Sequence, residues 1–232
     1  MNPGSSVLAR VSRERMHLSL MLGLTFGTGI VDAVGYLGLD RVFTGNMTGN
    51  VVILGMAVVG ADDLPVLGPL LALIGFLAGA ALGGRVLRHQ QQKWTARTTW
   101  LFASVGLVEL ALAGVVLAAH DDPPRAVEIA TTTLLGAAMG VQAAVARFVA
   151  VKDVTTVVVT STLTGLAADS VLGSGKGGGS GRRALAVVLI IAGAAAGALL
   201  LRWHLAAGLV VAGVVVLVCT GIGAWHDRVA AG

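Results

Sequence analysis

Two carboxylic acids, Asp32 and Glu109, lie within long apolar stretches of this sequence. An ionised carboxylate in apolar surroundings is costly, so each acid is neutral, paired or open to water. Asp32 could be a proton- or cation-linked carboxylate or an acceptor for a bound solute. Alternatively, it could hold the fold together by bonding to nearby amides and hydroxyls. Glu109 could relay protons, or it could be a buried, hydrogen-bonded acid.

A polar stretch, Phe43-Thr-Gly-Asn-Met-Thr-Gly-Asn50, opens the apolar segment that follows Asp32. Asn and Thr are residue types that cap the free N–H groups at the start of a helix. The positive end of such a helix can also face an anion or a polar solute. Asn46, Thr48, Gly49 and Asn50 are therefore either helix caps or part of a polar site.

A second apolar segment, at about 154–173, is rich in hydroxyl groups, namely Thr155, Thr156, Thr160, Ser161, Thr162 and Thr164. Polar backbone and side chains are tolerated at membrane depth only when they are buried in protein or line a wet cavity. We predict that the two polar segments share one substrate or ion pathway, lined by Asp32, Asn46, Thr48, Gly49, Asn50, Gln142, Thr160 and Thr164. Glu109 is the candidate proton relay.

Enzyme chemistry has little support in this sequence. The five histidines lie at the ends of apolar segments or between them, without metal-ligand spacing. The Gly/Ser-rich stretch around Lys176 lacks the spacing of a phosphate-binding loop. The single cysteine, Cys219, excludes a disulfide framework. We expect no enzymatic activity, no metal and no cofactor.

The composition is that of a membrane protein. Of 232 residues, 56% are hydrophobic and only 12% are charged, whereas soluble domains carry about 25% charged residues. Mean hydropathy is +0.87. The net charge of +4 could suggest nucleic acid, but the cations cluster at the ends of apolar segments, where lipid headgroups attract them. We expect the lipid bilayer, and no nucleic acid, as a partner.

Eight apolar segments are visible, at about 17–39, 43–61, 64–88, 99–119, 127–150, 154–173, 184–201 and 205–225. If all eight cross the bilayer, the Lys and Arg residues divide equally between the two sides. If segments 43–61 and 154–173 enter and leave on one side, thirteen of the sixteen fall on the side of the N-terminus. That asymmetry is what the positive-inside rule expects. The sequence predicts an all-α membrane protein with six transmembrane helices, two re-entrant or broken helices, and cytoplasmic termini.

The two polar segments also resemble each other, since Thr44, Thr48 and Gly49 match Thr160, Thr164 and Gly165 at a fixed offset. Three crossings in each half make the second half inverted relative to the first, the plan of many channels and transporters. We divide the chain into a cytoplasmic segment (1–16), a first repeat (17–119) and a second repeat (120–232). A flexible Gly/Ser loop is expected at 173–183.

Longer stretches carry a family resemblance. They are Gly29-Ile-Val-Asp-Ala-Val-Gly-Tyr-Leu37 with Phe43–Asn50, and, in the second half, Met139-Gly-Val-Gln142 with Thr155–Thr164. On these the chain resembles the YoaK/DUF1275 family of bacterial membrane proteins, whose function is undetermined. Ala143 and Ser161 depart from the family pattern, which leaves any amide role in the second half to Gln142. The resemblance implies a bacterial inner-membrane location and supplies no substrate.

These patterns favour a small-solute permease, coupled to protons through Asp32 or Glu109. A passive channel is the alternative within transport, and a non-transporting scaffold or assembly partner is the alternative outside it. Three rows of glycines spaced by four, which begin at Gly75, Gly136 and Gly193, predict close helix–helix contacts. One of these rows could be the face of a homo-oligomer.

Overall fold

The computed structural model describes residues 12–91, 94–119, 124–149, 151, 159–171, 173–175 and 179–231. The described residues form eight α-helices and one short 3₁₀ helix, Ala61–Asp63, with no strand among them. The helices are α1 (Arg13–Gly38), α2 (Met47–Val58), α3 (Leu67–Leu87), α4 (Ala96–Ala118), α5 (Arg125–Val149), α6 (Val159–Ala168), α7 (Ser180–Leu201) and α8 (Leu205–Ala231).

Six helices are long and apolar enough to cross a membrane, and two are not. A crossing needs about 20 helical residues, which α1, α3, α4, α5, α7 and α8 supply. The short helices α2 and α6 have 12 and 10 residues, so they extend only about 18 and 15 Å. The prediction of six transmembrane helices plus two shorter apolar helices is confirmed.

Several boundaries differ from the sequence prediction, and two helix starts have a clear local description. α1 begins at Arg13 rather than near residue 17, because the Ser12 side chain caps it by accepting from the Arg15 N–H. α7 begins at Ser180, so the predicted Gly/Ser loop ends at Gly179 instead of residue 183. Gly179 has a φ of 81°, a backbone conformation that glycine adopts readily.

The outer surface is apolar, as lipid contact requires. α7 exposes Val188, Ile191 and Leu199 to more than half of their full area. Trp100 and Trp203 are 74% and 80% exposed and lie near helix ends, the position that tryptophan favours at membrane interfaces. A surface of this kind belongs in a bilayer, and the chain is a multi-pass membrane protein.

Glycines bring α1 and α7 into backbone contact. A Cβ at Gly193 would overlap the carbonyl oxygen of Phe26, and a Cβ at Gly197 would lie 2.7 Å from that of Ile30. Since later residues of one helix meet later residues of the other, α1 and α7 run parallel. The small-residue row of α7 therefore packs within the chain.

The helices α3 and α5 form an equivalent parallel pair. A Cβ at Gly79 would overlap the carbonyl oxygen of Ala137, and Gly83 lies against Val141 and Ala144. The rows that begin at Gly75 and Gly136 thus face each other. Homo-oligomerisation through the glycine rows stays a prediction, and the structure already gives all three rows partners inside the chain.

The two parallel pairs use matching residues: Gly29 packs against Ile190 and Ala194, and Gly140 packs against Phe76 and Ala80. Gly29 and Gly140 are 111 positions apart, and each α7 residue lies 114 positions after its α3 counterpart. Such correspondence is what two repeats related by a two-fold axis would produce. It supports the inverted repeat, which we carry forward as a proposal.

Helix directions bear on how α2 and α6 enter the bundle. α8 runs antiparallel to α1, because Gly23 meets Cys219 and Gly38 meets Leu205. α4 in turn runs antiparallel to α8. A short connection joins α4 to α3, and Arg97 of α4 donates to the Val86 carbonyl of α3 (3.1 Å). α3 thus returns in the direction opposite to α1. The segment between α1 and α3, which contains α2, consequently begins and ends on the same side of the helix bundle.

Cysteine labelling provides a test of this topology. In a Cys219→Ser background, cysteines at positions 40 and 62, which flank α2 and are exposed, should react with an impermeant thiol reagent from the same side of a sealed vesicle. A cysteine at position 174, beyond α6, should react from the opposite side. Labelling of positions 40 and 62 from opposite sides would mean that α2 crosses the bilayer. Labelling at position 174 from the same side as both would contradict the inverted second half.

Candidate functional site

A cavity of about 280 Å³ lies between the starts of the two short helices. Its wall is formed by Asp32, Gly45, Asn46, Met47, Thr48, Phe76, Val159, Thr160 and Ile190. The N-terminal residues of α2 and of α6 therefore face one space. Phe76 and Ile190 are the matching residues of α3 and α7 described above, so the cavity lies between corresponding parts of the two halves.

Asp32 organises the loop that precedes α2. Its Oδ1 accepts hydrogen bonds from the backbone N–H groups of Thr44 (3.0 Å), Gly45 (2.6 Å) and Asn46 (3.3 Å), and from the Thr44 hydroxyl (3.4 Å). Three consecutive N–H groups that converge on one oxygen form an anion-binding nest. This geometry supports the structural role that the sequence allowed for Asp32.

The second carboxylate oxygen of Asp32, Oδ2, has no hydrogen-bond partner among the described residues. Asp32 is half-buried and lies on the cavity wall. Oδ2 accepts no hydrogen bond from the described residues, and no described Lys, Arg or His lies within ion-pair distance of it. One side chain thus fixes the loop through Oδ1, while its Oδ2 is an acceptor with no partner in the described part of the chain.

The polar residues at the start of α2 divide between capping and the cavity. Asn46 is the N-cap, and its Oδ1 accepts from the Gly49 N–H at 3.1 Å. Thr48 is exposed and lies on the cavity wall. Asn50 is buried and bonds to both backbone groups of Phe43, as acceptor at 2.9 Å and donor at 2.5 Å. Asn50 therefore closes the loop and does not line the cavity.

Gly49 is required by an aromatic neighbour. A Cβ there would lie 2.7 Å from the Phe43 ring, and that ring stacks on Tyr36 with centroids 4.8 Å apart. Any larger residue would push Phe43 out of this stack. Gly49 serves packing and is not on the cavity wall.

In the second half, α6 contributes Thr160 to the cavity, while Thr164 bonds to the Thr160 carbonyl at 3.0 Å and lies off the wall. Arg183 of α7 holds the other end of α6 through the Gly165 carbonyl and the Asp169 carboxylate, both at 2.7 Å. Sequence reasoning counted Arg183 only as an inside charge, because it directly precedes the predicted apolar segment at 184–201. Thr155 and Thr156 lie outside the described residues.

Gln142 and Glu109 are buried in the bundle away from the cavity wall. Gln142 donates to the Thr28 hydroxyl at 3.0 Å, which links α5 to α1. Its Oε1 and both carboxylate oxygens of Glu109 are buried without a partner among the described residues. Buried polar atoms of this kind usually bind ordered water. The Glu109 relay stays a prediction.

The structure thus brings four predicted site residues to one cavity: Asp32, Asn46, Thr48 and Thr160. It places five others off the wall: Gly49, Asn50, Gln142, Thr164 and Glu109. Phe76 and Ile190 were missed, because an apolar residue on an apolar helix carries no signal of a site. Their positions, 114 residues apart on α3 and α7, are the one pattern that could have indicated them.

These features define a class: an all-helical, multi-pass membrane protein with a polar cavity between two short helices. A family model described as "Protein of unknown function (DUF1275)" matches residues 20–222, and the chain belongs to that family. It is 31% identical over 152 residues to the UPF0700 transmembrane protein YoaK of Bacillus subtilis (strain 168), covering 65% of this chain and 66% of that protein. No solved structure matches the chain.

Proposed function

We propose that this protein is a small-solute membrane transporter whose binding site is the cavity between α2 and α6. The carrying observation is that Asp32 lies on a wall formed by the first residues of both short helices, with no partner for its Oδ2 among the described residues. Asn46, Thr48 and Thr160 add amide and hydroxyl groups. A few convergent polar groups in a mostly apolar cavity are typical of a small-molecule site.

Cavity size and symmetry support the proposal. A volume of about 280 Å³ is near the lower limit for drug-sized ligands, so the solute is small. Interrupted helices at corresponding places in two inverted halves are where secondary transporters bind their substrates. The matching contacts of Gly29 and Gly140 support a cavity at such an interface.

We propose a bacterial inner-membrane location with both termini in the cytoplasm. The thirteen basic residues on the N-terminal side of the six-span topology support this orientation. Protonation of Asp32 during transport is part of the same proposal, since this carboxylate is the one charged group among the described residues of the wall.

The test is solute uptake into proteoliposomes that contain the full chain, measured for a panel of small solutes with and without a pH gradient. We expect uptake by the wild type, acceleration by the gradient, and at least a tenfold loss in Asp32→Asn. Asp62→Asn, an exposed site beyond α2, is the matched control and should transport normally.

Two results would contradict the proposal. Uptake that neither the gradient nor Asp32→Asn alters indicates a passive channel that does not use Asp32. Absence of uptake for every solute by a folded protein indicates a scaffold or assembly partner, in which Asp32 serves stability alone.

A further inference from the structure

We propose that the cavity binds the ammonium group of a small organic cation at Asp32 Oδ2, and that it rejects anions. This inference rests on the proposed function, because it assigns the class of solute that the cavity takes. It follows from the charges, the hydrogen bonds and the apolar residues of the wall.

The Asp32 carboxylate already lies beside the positively polarised start of α2. The N–H groups of Thr44, Gly45 and Asn46 bond to Asp32, and the Gly49 N–H bonds to the Asn46 side chain. A helix N-terminus attracts an anion through free N–H groups. At the start of α2, the Met47 N–H bonds to the Gly45 carbonyl and the Gly49 N–H to the Asn46 side chain, and the Asp32 carboxylate is bound to the loop directly before them. The sequence allowed an anion to bind at this end of α2. The hydrogen bonds disfavour an anion there.

Among the described residues, the wall carries a single charge, and it is negative. Asp32 is the one ionisable residue among the described lining residues, and Oδ2 has no partner in the described part of the chain. In a partly enclosed space of low polarity, an unpaired carboxylate attracts a cation more strongly than in water. A carboxylate or phosphate solute would meet repulsion at the same place.

The remaining wall fits the rest of an organic cation. An ammonium group has three N–H donors, and Oδ2 cannot accept from all of them. The hydroxyls of Thr48 and Thr160 can accept from the others. Phe76 supplies an aromatic ring, which attracts cations, and Met47, Val159 and Ile190 supply apolar surface. A bare metal ion would leave most of the 280 Å³ unused, so we assign an organic solute.

Binding to the purified full-length protein tests the inference without transport. The probes are matched trios of one carbon skeleton that bears an ammonium, a hydroxyl or a carboxylate group, such as butylammonium, butanol and butyrate. Sodium chloride at equal ionic strength is the salt control. The readout is the shift in thermal unfolding followed by tryptophan fluorescence, titrated to give a half-saturation concentration for each probe.

We expect the ammonium member to bind the wild type about tenfold more tightly than the alcohol, and the carboxylate to give no shift. Asp32→Asn should abolish the preference for ammonium while keeping the Oδ1 hydrogen bonds, and Asp62→Asn should retain it. Phe76→Leu, which keeps the apolar volume and loses the ring, should weaken ammonium binding about threefold or more.

Four outcomes would each overturn the inference. They are equal or tighter binding of the carboxylate, an ammonium preference that survives Asp32→Asn, stabilisation by sodium chloride alone, and the absence of a shift with every trio. The two proposals fail separately. Ammonium binding without uptake in proteoliposomes contradicts the transporter and leaves the site assignment intact. Uptake of neutral or anionic solutes without ammonium binding contradicts the assignment and leaves the transporter intact.

Discussion

Replacing Asp32 by alanine should destabilise the protein by about 3 kcal/mol or more, because three backbone N–H groups lose their shared acceptor. Those N–H groups lie in the loop that leads into α2, where Thr44 and Gly45 are buried and water replaces the lost hydrogen bonds poorly. The measurement is reversible unfolding of the purified protein in mixed micelles, monitored by tryptophan fluorescence.

The asparagine variant separates the two roles of this side chain. Asp32→Asn retains an oxygen at the Oδ1 position and should lose only about 1 kcal/mol of stability, although it removes the charge that we assign to binding. Asp62→Asn, at an exposed loop position, controls for the loss of an acidic residue and should change stability little, because asparagine tolerates the left-handed backbone of Asp62 (φ 54°). Equal stability of the Asp32→Ala variant and the wild type would show that the hydrogen bonds to Oδ1 do not hold the loop.

Replacing Gly79 by alanine should also be strongly destabilising. The added Cβ would overlap the Ala137 carbonyl oxygen, a backbone atom that cannot move unless α3 and α5 separate. Overpacking of this kind costs about 1–3 kcal/mol, and separation of the two helices also shifts Phe76 on the cavity wall. The variant should therefore unfold at lower denaturant concentration and bind solute more weakly.

The same helix offers a matched control. A Cβ at Gly84 meets no atom within 4 Å, so Gly84→Ala should be neutral, or stabilising by up to about 1 kcal/mol through helix propensity. In the other half, Gly193→Ala should behave like Gly79→Ala, because its Cβ would overlap the Phe26 carbonyl oxygen. If Gly79→Ala is as stable as Gly84→Ala, the α3–α5 contact is looser than the structure indicates.

A dual role for Asp32 has a mechanistic consequence. Oδ1 fixes the loop before α2, and a cation or proton that binds at Oδ2, as we propose, weakens the acceptor strength of Oδ1. Occupancy of the cavity would then loosen the hydrogen bonds to Thr44, Gly45 and Asn46. A coupling of this kind is what a transporter requires between substrate binding and movement of a short helix.

Much of the architecture could be predicted from the chain alone. Composition excludes a water-soluble surface, and segment length sets which helices can cross a bilayer. Charge asymmetry indicated that two apolar segments do not cross, and the structure contains the corresponding short helices, α2 and α6. These properties are sums over many residues, so no single misjudged position changes them.

The site could be predicted only in part. Asp32, Asn46, Thr48 and Thr160 were identifiable because a polar group at membrane depth is costly and must have a use. The same reasoning could not separate Asn46, which lies on the wall, from Asn50, which bonds to Phe43 behind it. Both are asparagines at the start of one helix, and only the direction of each side chain distinguishes them.

The sequence by itself therefore determined the environment, the number of crossings and the pair of polar segments, because hydropathy and charge act on the chain locally. Only the tertiary structure decided that both short helices start at one cavity and that Phe76 and Ile190 complete its wall. It also decided that Oδ1 of Asp32 bonds to the loop before α2 while Oδ2 has no partner among the described residues. These facts depend on distances between residues far apart in the chain, which are set by the close glycine contacts between α1 and α7 and between α3 and α5.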